Sequence, residues 1–132
     1  MQRPLPHPTA ETRPFWDGCA QGHLRYQRCS DCGTVQLIPR SLCASCQSEA
    51  LQWQLSGGQG RVLTHTTVHR APTPAFRAEA PYTIAIVDMD EGFRLMVNVA
   101  QDPARPAAIG ARVRIVVREV QGMALPHAEV SA

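Results

Sequence analysis

The stretch CSDCGTVQLIPRSLCASC, residues 29–46, contains two Cys-x-x-Cys pairs, Cys29/Cys32 and Cys43/Cys46. The short segment between the pairs can form a hairpin that brings the four sulfur atoms to one point. Thiolates at this spacing suit a closed tetrahedral site, and zinc is the usual structural occupant of such sites. We therefore predict one structural Zn²⁺ ion bound by these four cysteines.

Other uses of four cysteines remain to be weighed against zinc. A rubredoxin-type iron centre also uses two Cys-x-x-Cys pairs, so the spacing alone does not separate the two metals. Disulfides are disfavoured because residues 1–20 contain four prolines and no apolar run, which is unlike a secretory signal. A thiol redox pair is disfavoured because the βαβ pattern typical of thioredoxin-like proteins is not visible.

Composition limits the function classes. The 132 residues suffice for one domain or two very small modules, and 44% of them are hydrophobic. All 13 basic residues are arginine, which excludes lysine Schiff-base chemistry and lysine-based phosphate loops. The formal charge of +2 falls to about zero when Zn²⁺ and four thiolates are counted. This balance disfavours a strongly basic nucleic-acid binder.

Hydropathy predicts neither a membrane span nor an exported protein. No segment approaches the roughly 20 apolar residues that a transmembrane helix needs. Together with thiolate-bound zinc, this pattern leads us to expect a soluble cytoplasmic protein without a membrane partner.

The first predicted unit, residues 1–24, is a proline-rich lead-in followed by a short helix over residues 13–21. Thr12 is the expected N-cap, and Gly22 is the expected stop. Phe15 and Cys19 share one face of this helix, with Trp16 beside them. We interpret Cys19 as a small core residue because no histidine is tied to it by the sequence; a nucleophilic role is the alternative.

The second predicted unit, residues 25–56, is a rubredoxin-like zinc ribbon. Alternating apolar and polar residues over 23–27 and 51–55 predict strands on either side of the cysteine pairs. Val35, Leu37 and Ile38 are expected to supply hairpin strands between the pairs. Such a small unit has little core, so we expect the metal to supply much of its folding free energy.

The third predicted unit, residues 57–126, has a purely β pattern and precedes a tail, residues 127–132. Five strands with a hairpin at the centre predict a small Greek-key barrel of the OB type. The strands are expected at residues 61–69, 82–88, 93–99, 112–120 and 123–125. The fold class is thus mainly β: a short N-terminal helix, a zinc ribbon and a five-stranded OB-fold barrel.

Two connections in the barrel are long and rich in Ala and Pro, so we look there for function: residues 70–81 and 100–110. His65 and His69 share a strand face and are weighed as a second metal site, but no third ligand is evident. The acidic residues of the 88–91 turn fit turn chemistry better than catalysis. No set of nucleophile, base and orienting residue is evident.

The order of these parts resembles the DUF35 family. The resemblance is carried by Pro14-Phe15-Trp16 in the helix, the cysteine ribbon and a series of later motifs, and it covers roughly residues 12–125. The later motifs are the Gly60 turn, His69-Arg70, Ala80-Pro81-Tyr82, Asp90-Glu91-Gly92 and Ile109-Gly110. Two parts of the chain depart from the family pattern: the lead-in is short and proline-rich, and residues 126–132 lack a basic or aromatic finish.

The resemblance implies an accessory subunit of an acyl-CoA enzyme. Members of the family look like partners of thiolase-type enzymes, of MaoC-like enoyl-CoA hydratases and of aldolases that act on steroid side chains. In such assemblies the catalytic residues belong to the partner, and the zinc-ribbon protein braces it or helps to bind the CoA ester.

Candidate contacts for a CoA ester or a partner lie mainly on the first long connection. Arg70 and Arg77 offer charge-assisted hydrogen bonds, and Phe76 between them offers a stacking face. His69 and Tyr82 flank this connection and are included with it. The helix face formed by Phe15 and Trp16 is a second candidate for a partner contact.

The alternative from another class is a single-stranded nucleic-acid binder, since OB barrels and zinc ribbons both serve that purpose. The barrel segment has only Phe76, Tyr82 and Phe93 as aromatic residues. A near-zero charge with the metal bound also disfavours this alternative.

Overall fold

The computed structural model describes residues 4–102 and 104–131. Its elements confirm the predicted fold class, with a short helix, a small cysteine-bearing sheet and a five-stranded closed barrel. In chain order they are α1 (Arg13–Ala20), β1 (Arg25–Cys29), β2 (Val35–Gln36), β3 (Leu51–Leu55), β4 (Gln59–Val68), a 3-10 helix (Pro74–Glu79), β5 (Tyr82–Met89), β6 (Arg94–Val99), β7 (Arg112–Val120) and β8 (Met123–Val130).

Helix α1 begins after Thr12 and ends one residue earlier than the sequence predicts. The Thr12 side chain makes no capping bond to the helix; its hydroxyl accepts a hydrogen bond from the Thr9 N–H at 2.8 Å. Gly22 has a φ of 80°, which suits glycine and turns the chain towards β1.

The ribbon is a three-stranded antiparallel sheet with strand order β2-β1-β3. β1 lies in the centre and reaches Cys29, so one metal ligand is part of the sheet itself. The strand predicted from Val35, Leu37 and Ile38 is shorter than expected, because β2 contains only Val35 and Gln36. Ile38 is 65% exposed and lies outside the sheet.

The barrel closes in the order β4-β5-β6-β8-β7. Its pairs are antiparallel except β6–β8, which is parallel and has a single registered pair, Val99 with Ala128. The central hairpin pairs β5 with β6 through residues 90–93, as the sequence predicts.

The last strand is longer than predicted. The structure continues β8 to Val130, in register with β7 from Met123 opposite Val120 to Val130 opposite Val113. The predicted tail from residue 127 is therefore wrong for residues 127–130. Pro126 is tolerated because β6 meets β8 at one registered pair only, so most of that side has no ladder bond to lose.

One hydrophobic core serves the helix, the ribbon and the barrel. Tyr26 of β1 stacks on Phe93 beside β6, with ring centroids 4.9 Å apart and planes at 25°. Phe15 and Cys19 of α1 belong to the same buried cluster as Val87 and the other inward residues of the barrel. The core thus crosses the predicted boundary between residues 56 and 57.

Within residues 4–102 and 104–131, no helix is long and apolar enough to cross a membrane.

Candidate metal centre and ligand surfaces

The four predicted metal ligands converge on one point. Their Sγ atoms all lie within 4.8 Å of one another, and the Cys29–Cys46 and Cys32–Cys43 pairs are 3.6 Å apart. A tetrahedron with metal–sulfur bonds of ~2.3 Å has sulfur–sulfur edges of ~3.8 Å. A disulfide would need ~2.05 Å. The arrangement therefore fits a tetrathiolate zinc site and excludes disulfides among these residues.

Two matching backbone turns position these ligands. In each turn, the N–H four residues after the first cysteine donates to that cysteine's carbonyl: Gly33 to Cys29 at 2.9 Å and Gln47 to Cys43 at 3.0 Å. Both donors have positive φ, 76° for Gly33 and 64° for Gln47. Glycine adopts this conformation without strain at Gly33, and Gln47 adopts the same conformation despite its side chain.

Hydrogen bonding shifts the pKa values of three of the four thiols, in different directions. The Thr34 hydroxyl lies 3.1 Å from the Sγ atom of Cys32. The hydrogen bonds of its side chain and backbone lower the pKa of the Cys32 thiol to about 6. Backbone hydrogen bonds from Cys46 and Ser45 likewise lower the pKa of the Cys43 thiol. The pKa of the Cys46 thiol is raised instead: the Ser48 backbone hydrogen bond lowers it, but the contacts with Cys32, Cys29 and Cys43 and burial outweigh that effect.

A buried glutamine pair supports the second cysteine turn, and sequence analysis missed it. Gln36 Nε2 donates to Gln27 Oε1 at 2.8 Å, and the Arg40 N–H donates to the same oxygen at 3.0 Å. Gln36 Oε1 accepts the N–H of Ala44, which lies inside the second Cys-x-x-Cys pair, at 3.0 Å. Gln27 lies two residues before Cys29 and so shares its strand face, which could have indicated that Gln27 faces the cysteine turns but not which partners it meets.

A carboxylate joins the ribbon to the barrel. Glu91, in the turn between β5 and β6, accepts hydrogen bonds from Ser56 Oγ at 2.9 Å and from the Gly57 N–H at 2.7 Å. Its neighbour Asp90 accepts both Nη atoms of Arg112, at 2.7 and 2.8 Å. The Arg112 hydrogen bond lowers the pKa of Asp90. These two acidic residues therefore have structural partners.

Cys19 does not provide a nucleophile. It is 1% exposed, in the shared core, and burial raises the pKa of its thiol to about 11. A protonated thiol without access to solvent is neither a metal ligand nor a nucleophile. The structure supports the interpretation of Cys19 as a core residue.

His65 lies on β4 and lines a cavity of about 240 Å³ with Thr67, Thr83 and Asp102, whereas His69 follows the end of the strand. Among the described residues, only the four cysteines bring three or more metal-binding side chains together. A second metal site at the two histidines has no third ligand in this part of the chain.

The first long connection folds as a 3-10 helix and brings two predicted contact residues together. The rings of Phe76 and Tyr82 lie 6.0 Å apart at 44°. Both rings line a cavity of about 160 Å³, and Arg118 also lines it. Arg70 and Arg77 are exposed and do not line this cavity.

The predicted partner contact at the helix needs correction for Phe15. Its ring is 7% exposed and packs in the core, edge-to-face with Trp16 at 4.8 Å. A ring in that position offers little surface to a partner. Trp16 is half-buried and is the part of the predicted face that still reaches the surface.

A tetrathiolate ribbon that shares a core with a closed five-stranded barrel defines the class of zinc-ribbon and OB-fold proteins. Family profiles agree: "ChsH2, rubredoxin-like zinc ribbon domain" matches residues 16–52, and "ChsH2, C-terminal OB-fold domain" matches residues 53–118. A "DUF35 domain-containing scaffold protein" of Methanocaldococcus jannaschii is 36% identical over 96 residues, which cover 71% of this chain and 67% of the relative. The chain belongs to the DUF35 family.

Chains similar to this one occur within a longer enzyme subunit and in the structure of an aldolase. The "3-oxo-4,17-pregnadiene-20-carboxyl-CoA hydratase alpha subunit" of Mycobacterium tuberculosis is 36% identical over 110 residues, 83% of this chain but 34% of the relative. This chain therefore spans about a third of that subunit. A solved structure titled "Ltp2-ChsH2(DUF35) aldolase" contains a chain that superimposes with a TM-score of 0.83 and 28% identity. The match covers 97% of this chain and all of that one.

Proposed function

We propose that this chain is a non-catalytic, zinc-braced accessory subunit of an enzyme that processes acyl-CoA thioesters. The observation that carries the proposal is the nearly full-length likeness to a chain in an aldolase structure whose title pairs Ltp2 with ChsH2(DUF35). A hydratase alpha subunit of similar sequence, whose name contains a CoA thioester, supports the same class of partner.

The chemistry of the described residues supports a bracing role. Cys19 is buried and protonated, and Asp90 and Glu91 are engaged in structural contacts. The same part of the chain has a shared core and a metal centre that fix the ribbon against the barrel. The reacting groups accordingly come from the partner, and this subunit supplies a rigid surface.

The partner is an enzyme of the hydratase, aldolase or thiolase type. Names of similar proteins support the first two, and the family resemblance alone supports the third. Trp16 is the proposed contact on α1, because it is the residue of that face that reaches the surface. The cytoplasm is the proposed compartment, on the ground of thiolate-bound zinc.

Contact with the CoA ester is proposed for the connection between β4 and β5. Phe76 and Tyr82 provide an aromatic cavity in which an adenine or an apolar arm can stack. His69, Arg70 and Arg77 are exposed at the start of the same connection or within it, and they provide donors for a phosphate or carbonyl group.

The test is a pull-down of the tagged, zinc-loaded full chain from nuclease-treated lysate of its native host, with the co-eluting chains identified by mass spectrometry. A hydratase-like, aldolase-like or thiolase-like chain in near-equal amount supports the proposal and names the reaction. A Trp16→Ala variant that retains the fold is expected to recover less of it, while Arg28→Ala on the ribbon surface serves as the matched control.

The alternative function predicts a different outcome of the same experiment. A single-stranded nucleic-acid binder would retain oligonucleotides in untreated lysate and recover no acyl-CoA enzyme in treated lysate. That result would overturn the accessory-subunit proposal.

A further inference from the structure

A donor-rich pocket on the barrel shares no lining residue with the metal site or with the aromatic cavity. It has a volume of about 330 Å³ and is formed by the start of β4, the connection between β6 and β7, the start of β7 and the end of β8. Its lining residues are Gln59, Arg105, Arg114, Glu129, Val130 and Ser131.

The amide of Gln59 is oriented by its neighbours. Arg112 Nη2 donates to Gln59 Oε1 at 3.2 Å, while both Nη atoms of Arg112 are anchored on Asp90. A guanidinium only donates, so the Gln59 atom that it meets must be the oxygen. The NH₂ group of Gln59 therefore remains as a donor for the pocket.

Glu129, the one carboxylate among the described residues that line the pocket, already accepts from two arginines. Glu129 Oε2 lies 3.4 Å from Arg114 Nη2, and its Oε1 lies 3.1 Å from Arg118 Nη2. Because a guanidinium has more N–H donors than one such contact uses, both arginines keep donors to spare. The Arg114 side chain is 64% exposed, so the ion pair contributes little to stability.

Arg105 adds a second guanidinium to the pocket. Within the described residues its guanidinium makes no hydrogen bond or ion pair, and it lines the pocket together with Arg114 and the Ser131 side chain. The pocket thus has two guanidiniums, an amide NH₂ and a hydroxyl against one shared carboxylate. Such an excess of donors suits an oxyanion with several acceptor oxygens.

We propose that this pocket is an oxyanion site that binds a phosphate or diphosphate group of a small molecule. The group has two sources to distinguish: a free phosphate compound, or the nucleotide end of a coenzyme A thioester. Naming coenzyme A rests on the proposed function, whereas the oxyanion site rests only on the pocket.

The site is tested by isothermal titration of the zinc-loaded full chain with pyrophosphate at low ionic strength. Saturable binding is expected, and Arg105→Gln combined with Arg114→Gln is expected to weaken it at least about tenfold, because two charge-assisted contacts are lost. Arg94→Gln, on the exposed face of β6, is the matched control and leaves binding unchanged. The absence of saturable binding, or equal losses in both variants, overturns the proposal.

Competition identifies the source. Displacement of pyrophosphate by coenzyme A but not by adenosine, with the same loss in the double variant, supports the thioester as ligand. Displacement by ADP but not by coenzyme A leaves the oxyanion site standing and overturns coenzyme A as its source. The pull-down of the partner enzyme is independent of both results, so failure of this site and failure of the proposed function are separable.

Discussion

Gly33 and Gln47 occupy equivalent positions in the two cysteine turns, yet only one of them is glycine. Both have positive φ and donate to the carbonyl of a metal ligand. A left-handed conformation costs an ordinary L-residue roughly 1–2 kcal/mol, which glycine avoids. The second turn therefore carries strain that the first does not.

Exchanging residue types at these positions is expected to change metal affinity in opposite directions. A Cβ atom at Gly33 would meet nothing within 4 Å, so Gly33→Ala should cost about 1 kcal/mol through backbone strain alone. Gln47→Gly should strengthen zinc binding, because it removes the backbone strain of the second turn. The gain should be below about 1 kcal/mol, because glycine loses more backbone entropy than glutamine on folding. Competition with a chelator measures the zinc affinity of both variants. Weaker zinc binding by the Gln47→Gly protein than by the wild type would contradict the strain argument.

Cys19 predicts a specific pH dependence of stability. Burial raises its pKa from 9.0 to about 11, so the folded state keeps the thiol proton where the unfolded state loses it. The free energy of unfolding that this pKa difference contributes is present in full below pH 9 and is lost as the pH rises towards 11. Urea unfolding of the wild type should therefore lose stability over this range faster than Cys19→Ala, and parallel pH profiles for the two proteins would contradict the prediction.

At the scale of elements, the turn between β5 and β6 is the joint between ribbon and barrel. Its two carboxylates face different partners: Glu91 binds the end of the ribbon, and Asp90 binds Arg112 on β7. Gly92 lies in the same turn, and a Cβ atom there would be 3.5 Å from Val35 of β2. The turn thus touches ribbon and barrel strands at once.

Glu91→Gln should weaken this joint. The amide oxygen can accept from the Gly57 N–H and the amide NH₂ can donate to the Ser56 hydroxyl oxygen, but two hydrogen bonds to a charged group become bonds to a neutral one. The expected cost in free energy of unfolding is about 1–2 kcal/mol, measured by urea denaturation. Glu119→Gln, on the exposed part of β7, is the control, and an equal effect there would show that the joint has no special role.

At the scale of the whole molecule, metal and barrel are linked through one core. β1 carries Cys29 to the metal and Tyr26 to the barrel, where Tyr26 stacks on Phe93. Zinc binding contributes directly to the folding of a small ribbon. Because the ribbon covers part of the barrel's core, its loss should expose barrel residues to water.

Removal of zinc by a chelator is therefore expected to affect both parts of the chain. Amide hydrogen exchange should show lost protection in β1–β3 and, through the Tyr26–Phe93 contact, in the hairpin of β5 and β6. Protection in β7, which pairs with neither strand of that hairpin, should fall less. Unchanged exchange in the hairpin while the ribbon loses protection would show two independent modules.

The sequence by itself determined the metal ligands, the fold class and most strands, because these depend on local signals. The spacing of Cys29, Cys32, Cys43 and Cys46 specifies a tetrathiolate site, and period-two alternation specifies strands of a small barrel. Local signals failed where long-range pairing decided the outcome: β8 continues past Pro126 because β7 is there to pair with it.

Only the tertiary structure decided which distant residues meet. The oxyanion pocket takes Gln59, Arg105, Arg114 and Ser131 from four separate segments, and no spacing in the sequence relates them. Likewise, no spacing in the sequence relates Glu91 to Gly57 at the end of the ribbon, or Phe15 to the barrel residues of the core. The physical reason is that barrel closure and a shared core fix these contacts, and both depend on the chain as a whole.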